Sequence, residues 1–358
     1  MKVAFVIPSL TNNGPNVFTL NLVNSLIDSQ LFINSEICVF FMNATNKEQL
    51  NFPVKTSKLN IRNTIKLLDF DIIHSTMFKA DCLSALLRIF SSNKNKFIAG
   101  IHNEIEEDLA FIYGKYKGYF FSKIWLTALN LIGCIVVSSP QMNTYYDRKL
   151  SKNTYREVIP YGIKLRSEEE KVIPSESEAL AKLRNNYTVI GTCGLLIERK
   201  NYELLIQFLS LNPDVCVVIV GDGPNKKNLL LLAIKYNVED RLCILGFKSN
   251  SISYYKYFDI FALTSYSEGF GLAMLEALGQ GIPTLLSDLP IYKDFFDESS
   301  VGLFDPYDIH SFEKAFNKII LSKEHYSNSA LGTFKKYFSA SEMANKHMSF
   351  YNRRVKKI

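Results

Sequence analysis

The chain has few cysteines, and their positions are unsuited to metal binding or to disulfide pairing. There are six in 358 residues, none belongs to a CxxC pair, and none has a histidine close by in the sequence. They are Cys38, Cys82, Cys134, Cys193, Cys216 and Cys243. This scatter argues against a zinc site and against a disulfide framework, and it favours a reducing compartment such as the cytoplasm.

A long apolar run is also missing. The longest uncharged candidate, 124–137, has about 14 residues and contains Asn130 and Gly133, whereas a membrane-spanning helix needs about 18. The apolar start of the chain ends at Pro8, which is too early for the core of a signal peptide. We therefore expect a cytoplasmic protein, with contact to the inner face of the cell membrane as an open alternative.

The basic residues form no continuous stripe, although the net charge is +6. Four of them, Arg353, Arg354, Lys356 and Lys357, gather at the carboxyl terminus. Such a cluster is either solvated or in contact with anionic lipid, and both interpretations stay open. Without a basic stripe or the features of a recognition helix, we expect no nucleic-acid partner.

The composition is that of a globular protein large enough for two domains. Hydrophobic residues make up 47% of the chain and charged residues 21%, which is more apolar and less charged than a disordered chain. At roughly 150 residues per domain, the length predicts two domains that each bury a core.

Short β-branched runs alternate with longer stretches of helical spacing, the pattern of parallel strands joined by crossover helices. The strands predicted in the first half are 3–7, 37–42, 71–74, 97–101, 135–138 and 157–159. Those predicted in the second half are 189–193, 215–220, 242–245, 260–264, 283–287 and 301–304. A charged stretch separates the two sets, so we predict an α/β protein with domains at 1–165 and 187–337 and a linker at 166–186.

Polar or glycine-containing loops follow the predicted strands in both halves. They include 8–15 and 102–104 in the first half, and 194–200, 221–224 and 265–271 in the second. Because the carboxyl ends of parallel strands form the ligand crevice of an open α/β sheet, we expect a site in each half. Two such crevices facing one another would form an interdomain cleft.

The most informative segment is 267–279, with the sequence Ser-Glu-Gly-Phe-Gly-Leu-Ala-Met-Leu-Glu-Ala-Leu-Gly. Apolar residues surround the axis of the helix predicted from Gly271, so we expect a buried helix with Glu276 as its one charge. A buried carboxylate needs donors, either from the protein or from a ligand such as a ribose diol. Gly269 and Gly271 would let a ligand approach the first N–H groups of the helix, just after Glu268. The structural alternative is a helix-start Glu268 and a Glu276 that is paired within the protein.

This spacing, two glutamates with seven residues between them and Gly-Phe-Gly-Leu inside, resembles the paired-glutamate motif of the family 4 glycosyltransferases. These are retaining enzymes with the GT-B fold of two facing Rossmann-like domains. Other landmarks follow the order of the family through nearly the whole chain, at 13–15, 71–75, 102–103, 136–138, 158–163, 191–194, 199–201, 221–224, 245–247 and 281–288. The resemblance also implies that a last helix, about 338–358, crosses back to the first domain.

The resemblance further implies a site for a nucleotide diphosphate sugar. Glu276 would bind the ribose, Glu268 the hydroxyls of the transferred sugar, and Lys200 the phosphates. His102 is similar to a histidine of the family that contacts the sugar near the reacting centre, although a lone histidine at a strand end can also be structural. Glu268, His102 and Lys200 are therefore the expected catalytic residues. The other implied donor-binding residues are Gly14, Arg199, Gly246, Phe247, Gly269, Phe270, Gly271 and Leu272.

Two positions depart from the pattern of the family. Leu195 stands where an arginine usually follows the glycine that corresponds to Gly194. Our hypothesis is that Arg199 supplies the missing charge from nearby. Lys164 stands where the family often has aspartate, and we expect this change to alter only the hinge.

The implied reaction moves a sugar from a nucleotide diphosphate donor to an acceptor hydroxyl with retained configuration. Negative charge develops on the leaving diphosphate, so fixed positive potential is required there, and we expect neither a metal nor a cofactor. The acceptor would be a glycan or a lipid-linked oligosaccharide of a surface polysaccharide, and the enzyme a hexosyl- or N-acetylhexosaminyltransferase. The alternative is a non-catalytic nucleotide-sugar-binding or partner subunit. A nicotinamide dehydrogenase fits less well, because no GxGxxG loop follows the first strand.

One aromatic and basic run, 113–125, allows two interpretations. It places Lys115, Lys117 and Lys123 among several aromatic residues. Its apolar residues are either the buried face of a helix or part of an amphipathic helix at a membrane surface that helps to receive a lipid-linked acceptor.

Overall fold

The computed structural model describes residues 1–29, 35–44, 49–165 and 172–356. The chain divides into two compact units, one formed by Met1–Lys164 with Tyr337–Ile358 and the other by Leu165–Lys336. Of the linker predicted at 166–186, residues 166–171 lie outside the described residues, and the remainder contains a helix of the second unit. Lys357 of the carboxyl-terminal basic cluster also lies outside them.

The first unit contains a seven-stranded parallel sheet with the order β3-β2-β1-β4-β5-β6-β7. The strands are β1 (Lys2–Ser9), β2 (Glu36–Asn43), β3 (Lys55–Lys58), β4 (Ile72–Thr76), β5 (Phe97–Gly100), β6 (Cys134–Val137) and β7 (Tyr155–Val158). The helices between them are α1 (Gly14–Asp28), α2 (Ile61–Lys66), α3 (Phe78–Phe90), α4 (Ile105–Tyr113), α5 (Lys115–Ile132) and α6 (Pro140–Lys149). A short 3₁₀ turn, Leu67–Asp69, follows α2.

The second unit contains a six-stranded parallel sheet with the order β10-β9-β8-β11-β12-β13. Its strands are β8 (Thr188–Cys193), β9 (Val215–Val220), β10 (Leu242–Ile244), β11 (Ile260–Leu263), β12 (Thr284–Ser287) and β13 (Gly302–Phe304). Its helices are α7 (Pro174–Asn186), α8 (Tyr202–Leu211), α9 (Lys226–Lys235), α10 (Leu272–Gly279), α11 (Ile309–Leu321) and α12 (Lys323–Thr333). Its described residues also form four 3₁₀ turns (Glu198–Lys200, Glu239–Arg241, Ser251–Tyr257, Pro290–Tyr292). A π-helical turn, Phe334–Phe338, spans the point where the chain passes from the second unit to the first.

All twelve predicted strands are confirmed, with ends that differ by no more than two residues. They were visible because central parallel strands are buried on both faces and therefore read as continuous apolar runs; β9, for example, is buried along its whole length. The strand that sequence reasoning missed is β3, Lys-Thr-Ser-Lys, an edge strand that pairs only with β2. Polar edge strands of this kind protect a sheet from further pairing and carry no apolar signal.

The last helix, α13 (Ala340–Val355), packs against α1 in the first unit and buries a histidine. The ring of His347 stacks on that of His74, with 6.0 Å between centroids, and Tyr351 Oη lies 2.6 Å from His74 Nδ1. At the end of the helix, Arg353 bonds Glu157 at 2.6 Å and Arg354 bonds the carbonyl of Asn95 at 2.9 Å. Two residues of the carboxyl-terminal basic cluster are thus bound to this unit.

Acidification should destabilise the first unit through its buried imidazoles. Burial lowers the pKa of His347 to about 4, so at mildly acidic pH the unfolded chain binds a proton that the folded chain does not. Stability is therefore lost as the pH falls through the unfolded value of about 6.5, by about 2 kcal/mol at pH 5 for this residue.

His347→Phe should reduce that loss, because it keeps a ring and removes the titration. Urea unfolding at pH 7.5 and pH 5.0 measures the difference. Burial raises the pKa of Asp81 to about 7, so this carboxyl adds stability as the pH falls. The gain is the same in both proteins and cancels when their acid losses are compared. Equal acid losses in the two proteins would contradict a neutral, buried His347.

Candidate functional site

The carboxyl edge of the second sheet is formed by loops whose backbones touch. Gly194 N–H donates to the Val220 carbonyl at 3.1 Å, and Leu196 N–H donates to the Asp222 carbonyl at 3.0 Å. A Cβ on Gly221 would lie 1.9 Å from the oxygen of Gly194, so only glycine fits there. The Gly-Asp-Gly run at 221–223 therefore serves the contact between two loops, a role that its sequence alone did not reveal.

Lys200 and Glu268 form an ion pair at this edge. Lys200 Nζ lies 2.6 Å from Glu268 Oε1, and the hydroxyl of Ser265 donates to the same oxygen at 2.5 Å. The side chains are 15% and 6% exposed, so water screens their attraction weakly. The family resemblance implied a phosphate contact for Lys200 and a sugar contact for Glu268, and both stay predictions. In the structure the two groups pair with one another.

Helix α10 begins at Leu272, directly after Gly271 and within one residue of the predicted start. Gly271 has a φ of 89°, and a Cβ there would come within 3.0 Å of the Leu263 side chain and 3.1 Å of Tyr292 Oη. The helix start has no side-chain cap, so its first N–H groups can serve a ligand anion. The preceding residue, Phe270, is buried, and its carbonyl accepts from Tyr292 Oη at 3.0 Å.

The expectation that α10 is buried on every face is wrong. Met274, Leu275, Ala277 and Leu278 are buried, whereas Leu272, Ala273 and Glu276 share a face that is partly exposed. The apolar composition of α10 predicted burial on every face, but Leu272 and Ala273 line the open face instead of the core. Glu276 Oε2 accepts from Tyr255 Oη at 2.9 Å, so the carboxylate has a protein donor and still reaches solvent on the open face.

Arg199 and Leu195, the two residues linked by the missing-arginine hypothesis, differ in environment. Leu195 is exposed. Arg199 Nε is buried and has no hydrogen-bond partner among the described residues. An unused guanidinium donor next to Lys200 suits an anion, because a buried N–H without an acceptor is unfavourable.

The remaining donor-binding candidates of this unit lie on neighbouring loops. Gly269 lies in the loop between Glu268 and α10. Gly246 follows β10 with a φ of 77° and bridges to Gly221. Phe247, the next residue, exposes its ring to solvent, where it can stack on a planar ligand.

The candidates of the first unit are Gly14 and His102. Gly14 begins α1, and an added Cβ would have open space around it. His102 follows β5 and has both ring nitrogens bonded: Nε2 lies 2.6 Å from Thr76 Oγ1, and Nδ1 bonds Tyr161 Oη. Since the Thr76 hydroxyl donates to the Gly100 carbonyl at 3.1 Å, we assign the imidazole proton to Nε2.

Burial lowers the pKa of His102 to about 3, so the ring is neutral at physiological pH. Its contact with a sugar stays a prediction. Thr76 and Tyr161, which bond its ring, were missed by sequence reasoning, as were Ser265 and Tyr255 in the second unit. No local signal could have found them, except that Ser265 lies three residues before Glu268.

The aromatic run 113–125 spans two helices, because Gly114, with a φ of 79°, separates α4 from α5. Gly118, Ser122 and Trp125 form part of the buried face of α5, whereas Tyr116 and Phe120 are exposed. The interpretation as a buried face is therefore correct for only part of the run. Over the described ranges, no helix is both long and apolar enough to cross a membrane.

The sequence contains one Asp-x-Asp segment, Asp69-Phe70-Asp71, which is a common metal-binding pattern. It precedes β4, at the opposite end of the strands from the loop that holds His102. Asp71 Oδ2 accepts the backbone N–H of Lys2 at 2.7 Å, so the segment ties two strand starts together. Among the described residues, no three His, Cys, Asp or Glu side chains are grouped as metal ligands would be.

Comparison with known proteins finds similarity to glycosyltransferases. Residues 175–331 match the family described as glycosyl transferases group 1. The O-antigen biosynthesis glycosyltransferase WclY of Escherichia coli is 27% identical, with 100% of each chain covered. An E. coli UDP-Gal:alpha-D-GlcNAc-diphosphoundecaprenol alpha-1,3-galactosyltransferase is 31% identical over 45% of this chain and 44% of its own. The structure of sucrose-phosphate synthase from Thermosynechococcus elongatus superposes with a TM-score of 0.81 at 17% identity, covering 100% of both chains.

The two parallel-sheet, Rossmann-like units give the chain a GT-B fold, as predicted. Residues 175–331, within the second unit, match the group 1 glycosyl transferases, and the similarity of the whole chain to WclY supports a glycosyltransferase. This result favours the transferase over the non-catalytic binding subunit that the sequence alone left open.

Proposed function

We propose that the enzyme binds a nucleotide diphosphate sugar at the carboxyl edge of the second sheet and transfers the sugar, with retention, to an acceptor hydroxyl. The observation that carries this proposal is the Lys200–Glu268 pair beside the uncapped start of α10. The Lys200 cation and the backbone N–H groups at the start of α10 suit a diphosphate, and the Glu268 carboxylate can accept hydrogen bonds from the hydroxyls of a sugar. Adjacent loops carry these groups, so they can serve one ligand.

Donor binding would exchange the partners of the ion pair. The diphosphate takes Lys200 as its counterion and accepts hydrogen bonds from the first N–H groups of α10. The positive end of the helix dipole adds to this attraction. Glu268, released from Lys200, accepts hydroxyl groups of the sugar. Glu276, on the open face of α10, accepts the ribose hydroxyls and keeps its bond from Tyr255.

Bond cleavage places negative charge on the leaving diphosphate, and Lys200, Arg199 and the helix start stabilise it. We assign no carboxylate nucleophile. In this proposal the proton of the acceptor hydroxyl passes to an oxygen of the leaving phosphate, which balances the step without a metal or a cofactor.

The names of the relatives support an acceptor in surface-polysaccharide synthesis. WclY is named for O-antigen biosynthesis, and the galactosyltransferase is named for a GlcNAc-diphosphoundecaprenol acceptor. We propose a glycan or a lipid-linked oligosaccharide as the acceptor of this enzyme, a hexosyl or N-acetylhexosaminyl group as its cargo, and the cytoplasmic face of the cell membrane as its place of action.

Nucleoside diphosphate release from a panel of common nucleotide sugars tests this function. Lys200→Ala should lower turnover by about 100- to 1000-fold, the effect of removing one fixed charge donor from a transition state. Arg199→Ala should lower it by about 10-fold, and Leu195→Arg added to Arg199→Ala should restore part of the loss. Lys235→Ala, at the end of α9, is the control and should turn over normally.

Two results would contradict this account. Normal turnover by Arg199→Ala with an inactive Lys200→Ala would remove Arg199 from the mechanism. Failure of the wild-type enzyme to turn over any nucleotide sugar, with or without acceptor extract, would contradict the proposed function itself.

We further propose that α4 and α5 contact the membrane. Their exposed aromatic residues, Phe111, Tyr116, Tyr119 and Phe120, lie on consecutive helices among Lys115, Lys117 and Lys123. A surface that binds at the membrane interface places aromatic rings at the depth of the lipid headgroups. Its lysines contact the anionic lipids.

Co-sedimentation with phosphatidylglycerol vesicles at low salt tests the membrane contact. The wild-type protein should bind and should dissociate as salt is raised, and the double variant Tyr116→Asp/Phe120→Asp should bind several-fold more weakly. Leu321→Asp, at an equally apolar and 85% exposed site of the second unit, is the matched control. Absence of binding at low salt, or equal binding by the double variant, would argue against this surface.

A further inference from the structure

The first unit contains a pocket of 280 Å³ that shares His102 with the candidate site. Its walls come mainly from the start of α3, from α4 and from the middle of α5. Most of the lining is apolar, with Phe78, Leu109, Ile112, Phe121 and Trp125 as the main members.

The aromatic wall of the pocket is fixed by packing and by a buried hydrogen-bond network. The ring of Phe78 lies 5.8 Å from that of Trp125 and 5.9 Å from that of Phe121, between centroids. The indole N–H of Trp125 donates to Asp81 Oδ2 at 2.8 Å, and Ser75 donates to the other oxygen at 2.6 Å. The indole N–H is the only polar group of the Trp125 side chain, and it is bonded to Asp81. Trp125 can therefore contact a ligand only through the apolar surface of its ring.

This lining favours a hydrocarbon over a sugar. A sugar ring buried here would leave hydroxyl groups without partners, which is unfavourable, whereas a hydrocarbon chain gains from every apolar contact. The polar side chains that line the pocket are those of Lys79, His102, Asn103 and Asp108. Lys79 is exposed and takes part in no ion pair among the residues that the structure describes, so its charge can bind a phosphate.

The chain of such a ligand has a way out along the surface. Ile112 and Tyr113 line the pocket and are also more than half exposed, and they adjoin the exposed Phe111 and Tyr116. A hydrocarbon that begins in the pocket can therefore continue over the apolar surface of α4 and α5 without entering water.

We infer that this pocket holds the first part of the hydrocarbon chain of a lipid-linked acceptor, with Lys79 against the phosphate that joins the lipid to the glycan. The inference rests on the proposed function and selects a lipid-linked acceptor over a water-soluble glycan. Ile112, Phe121 and Trp125 become residues that determine acceptor specificity.

The fluorescence of Trp125, the one tryptophan in the chain, reports on the pocket directly. Titration with geranyl diphosphate should give a saturable change in its emission. Ile112→Asp should weaken the apparent affinity at least about 10-fold, since it places a charge where the chain would lie. Ile61→Asp, on the 85% exposed side chain that begins α2, is the matched control and should bind like the wild type. Lys79→Ala should weaken geranyl diphosphate but not geraniol.

The inference would be overturned by no saturable change, by equal affinity in Ile112→Asp and the wild type, or by an equal response to inorganic diphosphate alone. Octanoate binding as tightly as geranyl diphosphate would also contradict it, because the phosphate would then play no part. Nucleotide-sugar hydrolysis by the wild-type enzyme without acceptor keeps the two proposals apart. Turnover without geranyl diphosphate binding refutes only the pocket, whereas absence of turnover both with and without acceptor extract counts against the proposed function.

Discussion

Within each of the two sheets, every strand pairing among the described residues is parallel, and this constraint decides where chemistry can occur. Parallel strands require crossover connections, so their carboxyl ends share one edge and the loops that follow them meet there. In the second unit this edge joins Lys200 to Glu268, which are 68 positions apart in the chain. Glycine at 221 lets two loop backbones touch, and glycine at 271 leaves room for the side chains of Leu263 and Tyr292 beside the start of α10.

The Lys200–Glu268 pair has consequences for stability as well as for binding. Removing one partner leaves the other as a largely buried charge without a counterion, which typically costs a few kcal/mol. Variants at either position can therefore lose stability along with activity, and their kinetics are interpretable only beside unfolding data. The donor diphosphate would remove the same problem in another way, since it supplies a new counterion for Lys200 when Glu268 turns to the sugar.

The elements with a strong local signal could be predicted from the sequence. These include the buried strands and, to within one residue, the start of α10 after Gly271. Sequence reasoning missed groups that meet only through the fold, such as Tyr255 beside Glu276 and the Thr76 and Tyr161 hydroxyls on His102, 26 and 59 positions away from the ring they bond. It also overestimated the burial of α10, because composition does not show which face of a helix borders an open crevice.

The central claim is that the carboxyl edge of the second sheet binds a nucleotide through Glu276 and the ribose. Calorimetric titration of UDP, GDP and ADP, each compared with its 2′,3′-dideoxy form, tests it in the wild type and in Glu276→Ala. One ribonucleotide should bind the wild type at least about 10-fold more tightly than its dideoxy form, a difference of about 1.4 kcal/mol, and Glu276→Ala should not distinguish the two. Absence of binding by all three nucleotides, or the same ribose preference in both proteins, would contradict the account.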